Sequence, residues 1–79
     1  MSWLSVGGTV FIQKPADLAR LIKTQRQTQR LTQQDVADAA GITRQSLARI
    51  ERGHSGVAFD TILRIFEKLS IRLDAAPAD

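Results

Sequence analysis

The feature that most constrains this chain is a pair of short helical stretches hinged on one glycine, between Thr32 and Gly53. Thr32 is a good N-cap residue, with Asp35 three positions on in a variant of the capping box. Val36, Ala37 and Ala40 follow as the inner face of a short helix. Gly41 ends that helix, because glycine accepts the left-handed backbone needed just past a helix C-terminus. Thr43 opens the next helix as its N-cap, Leu47 and Ile50 form its buried face, and Gly53 closes it. Two such helices must cross steeply. A small residue is needed where they meet, hence Ala37, and the apolar Ile42 seals the junction after the turn.

With Leu47 and Ile50 facing inward, Arg44, Gln45, Ala48, Arg49 and Arg52 are left outside. This is the helix-turn-helix plan over residues 32–53, in which the second helix enters the major groove of double-stranded DNA. The outward residue types suit that task. Arg can donate two bonds to guanine O6 and N7, and Gln can pair with adenine N6 and N7; each such pair is worth ~1–3 kcal/mol of base discrimination. Arg44, Gln45 and Arg49 are the expected base-contacting residues. Thr43 and Ser46 carry short hydroxyls suited to phosphate or base. Thr32 and Gln33 stand at the positive end of the preceding helix, where phosphate is favoured. His54 and Ser55, in the loop beyond, either touch phosphate or serve only the turn. Taken singly, Arg and Gln on an outer helix face are usually just solvated. The DNA reading rests on caps, turn, buried spacing and basic outer face agreeing.

Charge placement points the same way. From Lys14 to Gly56 there are eight Lys/Arg against four Asp/Glu, whereas Val57 to Asp79 has three against four. A basic excess confined to one part of a chain is the footprint of a polyanion-binding face. With 79 residues and 43% hydrophobic content, only one small core is affordable, placed at residues 9–74 between a flexible lead, 1–8, and a frayed tail, 75–79. No cysteine is present to staple it. Dimerisation is the remaining route to extra stability. The absence of cysteine also fits a reducing cytoplasm. The first residues lack a basic n-region, so no signal peptide is expected, and no run approaches the roughly 20 apolar residues of a membrane span.

The rest of the chain is read by periodicity. Thr9 to Gln13 is β-branched and aromatic and predicts a short strand. Pro15 starts a helix to about Thr28, with Leu18, Leu21 and Ile22 on one face. A last helix runs from about Phe59 to Leu69, with Phe59, Ile62, Leu63, Phe66 and Leu69 as its buried stripe and Ile65 to the side. Residues 70–74 alternate apolar and polar, predicting a second strand. Ile65, Ile71, Arg72 and Leu73 are therefore the expected dimer interface. Arg26 and Glu51 are placed so that a salt bridge would lock the second helix of the motif to the first helix of the chain; the plainer alternative is two unpaired surface charges. Trp3 either contacts a partner or packs back on the domain.

Catalysis has little to work with. There is one His, no Cys and no Tyr. Asp17, Asp35, Asp38 and Glu51 read as first-turn, cap or salt-bridge residues, and no Gly-rich phosphate loop follows a strand. His54 has no ligand-like neighbours, so neither metal nor cofactor is expected.

The run Leu31 to Ala37, then Gly41 to Leu47, then Ile50 to Gly53 resembles the Cro/repressor (XRE) helix-turn-helix family, and the likeness extends from Leu18 to Leu69. It implies a mainly α, lambda-repressor-like domain of four to five helices that binds a palindromic operator as a dimer. It further implies a phosphate contact by Gln33, base contacts by Arg44, Gln45 and Arg49, and pairing of Arg26 with Glu51. Two positions depart from the pattern: Ala58, where relatives carry a helix-starting residue, and Ser70, where glycine is common. The two short flanking strands look similar to HipB-type antitoxins. That resemblance implies a C-terminal strand paired across the dimer axis, an autoregulatory repressor, and a HipA-like kinase toxin as partner. The competing expectations are a stand-alone regulator without a toxin, and a module that mainly binds another protein through Trp3, Leu4 and Val6.

Overall fold

A computed structural model describes residues 10–75 and 77. Trp3, Leu4, Val6, the expected lead and most of the expected tail lie outside the described residues. Four helices follow one another: α1 (Pro15–Thr28), α2 (Gln33–Ala40), α3 (Arg44–Glu51) and α4 (Phe59–Lys68). Their starts follow from local chemistry. Pro15 sits in the first turn of α1, where its missing N–H costs nothing. Asp17 accepts the Gln13 N–H at 3.0 Å and secures the entry. At α2 the capping box is complete: the Asp35 N–H donates to Thr32 Oγ1 at 3.0 Å, and the Thr32 N–H donates to Asp35 Oδ2 at 2.9 Å. At α3 the Ser46 N–H donates to Thr43 Oγ1 at 3.0 Å. Neither α1, with Lys14 at its N-cap, nor α4, with alanine at position 58, has a side-chain cap.

The four ends share one device. Two N–H groups beyond each helix fold back onto carbonyls of its last turn, across a residue of left-handed backbone. Gly41 (φ 71°) and Gly53 (φ 88°) serve α2 and α3 without strain. Arg30 and Ser70, both at φ 58°, serve α1 and α4, where a Cβ makes that conformation costly. Arg30→Gly and Ser70→Gly are expected to stabilise the fold by about 0.5–1 kcal/mol each, after the extra freedom of glycine in the unfolded chain is deducted. Thermal melts followed by circular dichroism should show each midpoint rising by ~2–8 °C. A fall in either midpoint would contradict the strain.

The core draws on every helix: Ile22 from α1, Val36, Ala37 and Ala40 from α2, Leu47 and Ile50 from α3, and Ile62, Ile65 and Phe66 from α4, with Leu69 just beyond. Ala37 is fully buried, and α2 packs on both α3 and α4. Ile42 lies half-buried against this cluster, as does Ile71.

Two expectations are corrected. Ile65 is fully buried in the core, so it cannot form part of a dimer interface. Phe59 and Leu63 are instead 64% and 42% exposed. The six apolar positions from Phe59 to Leu69 cover an arc of about 160° at 100° per residue, too wide for all of it to face the core. Packing selects the Ile65 edge and leaves the Phe59–Leu63 edge outside. The flanking segments also differ from expectation. Neither residues 10–13 nor 70–74 form a strand among the described residues. A strand needs a neighbouring strand to bond with, and a four-helix body offers none. The Ile71 N–H is already spent on the Phe66 carbonyl at 2.8 Å, closing α4.

Candidate nucleic-acid interface

The outer face of α3 follows from what its inner face buries. Leu47, Ile50 and Glu51 point inward, which turns Gln45, Arg49 and Arg52 outward at i, i+4 and i+7. All three are exposed, and so is Arg44 at the first turn. Among the described residues, none of Arg44, Arg49 and Arg52 takes part in an ion pair.

The four acids between Lys14 and Gly56 are all engaged elsewhere. Asp17 holds the start of α1 and lies 3.8 Å from Arg20. Asp35 belongs to the capping box, whose Thr32 backbone N–H and then Thr32 hydroxyl hold its carboxyl below the ordinary aspartate value. Asp38 accepts from Gln34 Nε2 at 2.7 Å. Glu51 pairs with Arg26. Arg44, Arg49 and Arg52 are thereby left with no carboxylate on the outer face of α3.

The Arg26–Glu51 pair exists and is nearly dry, with side-chain exposures of 11% and 3%. Arg26 Nε donates to Glu51 Oε2 at 2.8 Å, and Nη2 donates to Oε1 at 3.1 Å, a bidentate fork. Arg26 Nη1 donates to the Leu31 carbonyl at 2.9 Å. The pair thus ties the last turn of α3 to α1 and to the α1–α2 turn. The unpaired-surface alternative does not hold.

Around α3 the other expected residues fall into place unevenly. Thr43 Oγ1 caps the helix and donates to Ser46 Oγ at 2.9 Å. His54 uses its backbone N–H to close α3 on the Arg49 carbonyl, while its side chain stays exposed. Ser46, Arg49, His54 and Ser55 share a cleft of about 240 Å³ with Thr61 of α4, a residue that periodicity did not single out. Thr32 is exposed at the start of α2, but the Asp35 carboxylate already occupies that positive end and weakens it as an anion grip. Gln33 is half-buried, and its amide lies between Glu51 and Arg44. Arg72 and Leu73 are exposed, with Arg72 3.3 Å from Asp74. Leu73 lines a second, larger cleft with Ile12, Leu18, Phe59 and Phe66, of about 500 Å³. No group of metal-binding side chains occurs among the described residues, and no helix among them is long and apolar enough to cross a membrane.

The fold is shared with solved structures. A chain of a HipA-HipB-O2-O3 complex matches at a TM-score of 0.76 and 23% identity, covering 87% of this chain and 97% of that one. A HipB-O4 20mer complex matches at 0.76 and 25% identity, over 87% and 97%. A mutant of the restriction-modification controller protein C.Esp1396I matches at 0.68 and 22%, over 73% and 75%. No curated protein sequence matches significantly. The helix-turn-helix family HTH_3 matches residues 22–75. That span is most of the chain and contains both helices of the motif, the Arg26–Glu51 clamp and α4; the protein, similar in fold to the HipB chains, belongs to the helix-turn-helix family HTH_3, of the XRE type.

Proposed function

We propose that this protein is a sequence-specific, DNA-binding transcriptional repressor that acts as a homodimer, and that it is the autoregulatory antitoxin of a HipA-type kinase. The observation that carries the DNA reading is the outer face of α3: exposed Gln45 and three exposed, unpaired guanidinium groups, with every nearby carboxylate engaged elsewhere. Two protomers would set their α3 helices in successive major grooves, about 34–36 Å apart on one side of a palindromic site. Arg44, Gln45 and Arg49 would read bases, while Arg52, Thr43, Ser46, His54 and Ser55 meet phosphates on either side. Phosphate contacts supply most of the affinity and base contacts select the sequence. The mechanism is occupancy rather than catalysis: bound protein excludes polymerase from the promoter.

The dimer reading is supported by apolar surface left outside the core. Phe59, Leu63 and Leu73 are exposed, and so are Val10, Phe11 and Ile12 before α1. Patches of this kind mark interfaces more often than solvent surface. A second copy could also complete a strand at Arg72 and Leu73 that one protomer cannot form alone. The antitoxin reading is supported by the likeness to HipB structures, one of them a complex with HipA. A stand-alone regulator remains the second reading, favoured by the likeness to the restriction-modification controller.

Selection from a random duplex pool, followed by titration of the chosen site, tests the DNA reading. Arg44→Ala and Gln45→Ala should each lose ~1–3 kcal/mol on that site, with little change on unrelated DNA. Wild-type affinity for the site in both variants would overturn the groove assignment. Mass spectrometry of proteins co-purifying with the chain from its own host separates the two biological readings. A stoichiometric kinase supports the antitoxin; recovery with DNA alone supports the stand-alone regulator.

A further inference from the structure

We propose that the larger cleft is a docking site for the chain's own first residues, with Trp3 and Leu4 seated between α1 and α4 of the same protomer. The cleft holds about 500 Å³. Its lining runs from buried Phe66 and half-buried Leu18 to exposed Ile12, Phe59 and Leu73. A concavity in the range of ~300–1,000 Å³ with apolar walls suits an inserted side chain better than a flat surface. Large apolar side chains left at such a rim are the mark of a contact. The core does not need them, since its own cluster is already closed by Ile22, Leu47 and Ile65.

The lead is the occupant that the chain itself supplies. Residues 12–15 form one side of the cleft, so the segment before them leaves from its rim. Met1 to Thr9 carries no charged side chain and includes Trp3, Leu4 and Val6. Gly7-Gly8 is a turn signal between that apolar stretch and Thr9–Gln13. A reversal there sets Val6 beside Thr9 and, counting outward, Trp3 beside Ile12 at the mouth of the cleft. The tether is short enough to decide between occupants. Contact across a linker of this length works at an effective concentration on the order of millimolar, far above that of a second copy in a micromolar solution. The polar groups at the cleft suit an indole. Its N–H needs an acceptor once buried, and the Ser55 hydroxyl lines the cleft. Lys14 lines it too, and an ammonium is attracted to the face of a tryptophan ring. Leu63 and Phe11 do not line the cleft and stay available to a second copy.

Fluorescence of the full chain tests this directly, because Trp3 is its single tryptophan and it has no tyrosine. The folded protein should emit to the blue of the urea-unfolded chain and be quenched several-fold less by acrylamide. Both values should be the same across a hundredfold dilution series. Phe59→Ser and Leu73→Ser alter exposed rim residues, so helical circular dichroism should be kept while emission moves to that of the unfolded chain. Leu63→Ser should leave emission unchanged. Trp3→Ser should lower the melting midpoint by ~4 °C or more. Solvent-like emission from the folded wild type at every concentration would overturn the proposal. A blue shift that disappears on dilution or in Leu63→Ser would assign the indole to a second copy, and one that survives both rim variants would place it elsewhere on the domain; either result overturns the proposal as well.

Discussion

Glu51→Ala is expected to destabilise the protein by about 3–5 kcal/mol, because it strands the Arg26 guanidinium in a nearly dry site. A chain of this length has a total stability of roughly 4–12 kcal/mol, so the variant should be near or past its unfolding threshold at room temperature. The loss exceeds that of a surface ion pair for a geometric reason. The fork is bidentate, it is continued to the Leu31 carbonyl and Gln33, and water does not reach the carboxylate. Urea unfolding followed by helical circular dichroism reads the effect directly. The double variant Arg26→Met with Glu51→Leu, which removes both charges, should recover most of the loss, since apolar replacement of a buried pair is often neutral or better. A single variant within 1 kcal/mol of the wild type would mean the pair is far better solvated than its 3% exposure allows.

Ile65→Ala should cost about 2–5 kcal/mol, the usual range for emptying an isoleucine site in a packed core. The loss should be the same at every protein concentration, because Ile65 is enclosed by its own protomer. Leu63→Ser, two positions earlier on the exposed edge, should behave in the opposite way. It should leave the unfolding of the monomer nearly unchanged and weaken self-association, as read by sedimentation across a concentration series. Were Ile65→Ala to matter only where dimers form, the assignment of the two edges of α4 would be reversed.

The way α4 was misread shows where sequence stops being informative. Caps and stops act within three or four residues, and each was legible: Pro15 before α1, Thr32 with Asp35, Thr43, Gly41 and Gly53. The start of α1 and the bounds of α2 and α3 follow from them to within a residue or so. Which rim of a wide apolar arc is buried is not a local matter. It depends on where α2 lies, and Phe59, Leu63 and Ile65 have equally apolar side chains. The flanking segments escape a local reading for a related reason. Alternation at Ile71–Asp74 and the β-branched run before Gln13 say what a strand could look like, but a strand exists only opposite another strand.

The interface divides along the same line. The outward set of Gln45, Arg49 and Arg52 was legible because helical spacing alone opposes it to Leu47 and Ile50. The Arg26–Glu51 pair spans 25 positions; helix placement raised it only as one of two alternatives, and the family resemblance favoured it. The orientation of Gln33 had no sequence signal, since it is set by an acceptor 18 positions away. By itself, then, the sequence determined the helices, the turn between α2 and α3, and the chemistry of the exposed α3 face, all of which rest on contacts a few residues long. Only the tertiary structure decided which edge of α4 is core, that the flanks of a single protomer stay unpaired, and that the buried Glu51 carboxylate takes both Arg26 and Gln33 as donors, because each depends on groups distant in the chain that packing brings within bonding distance.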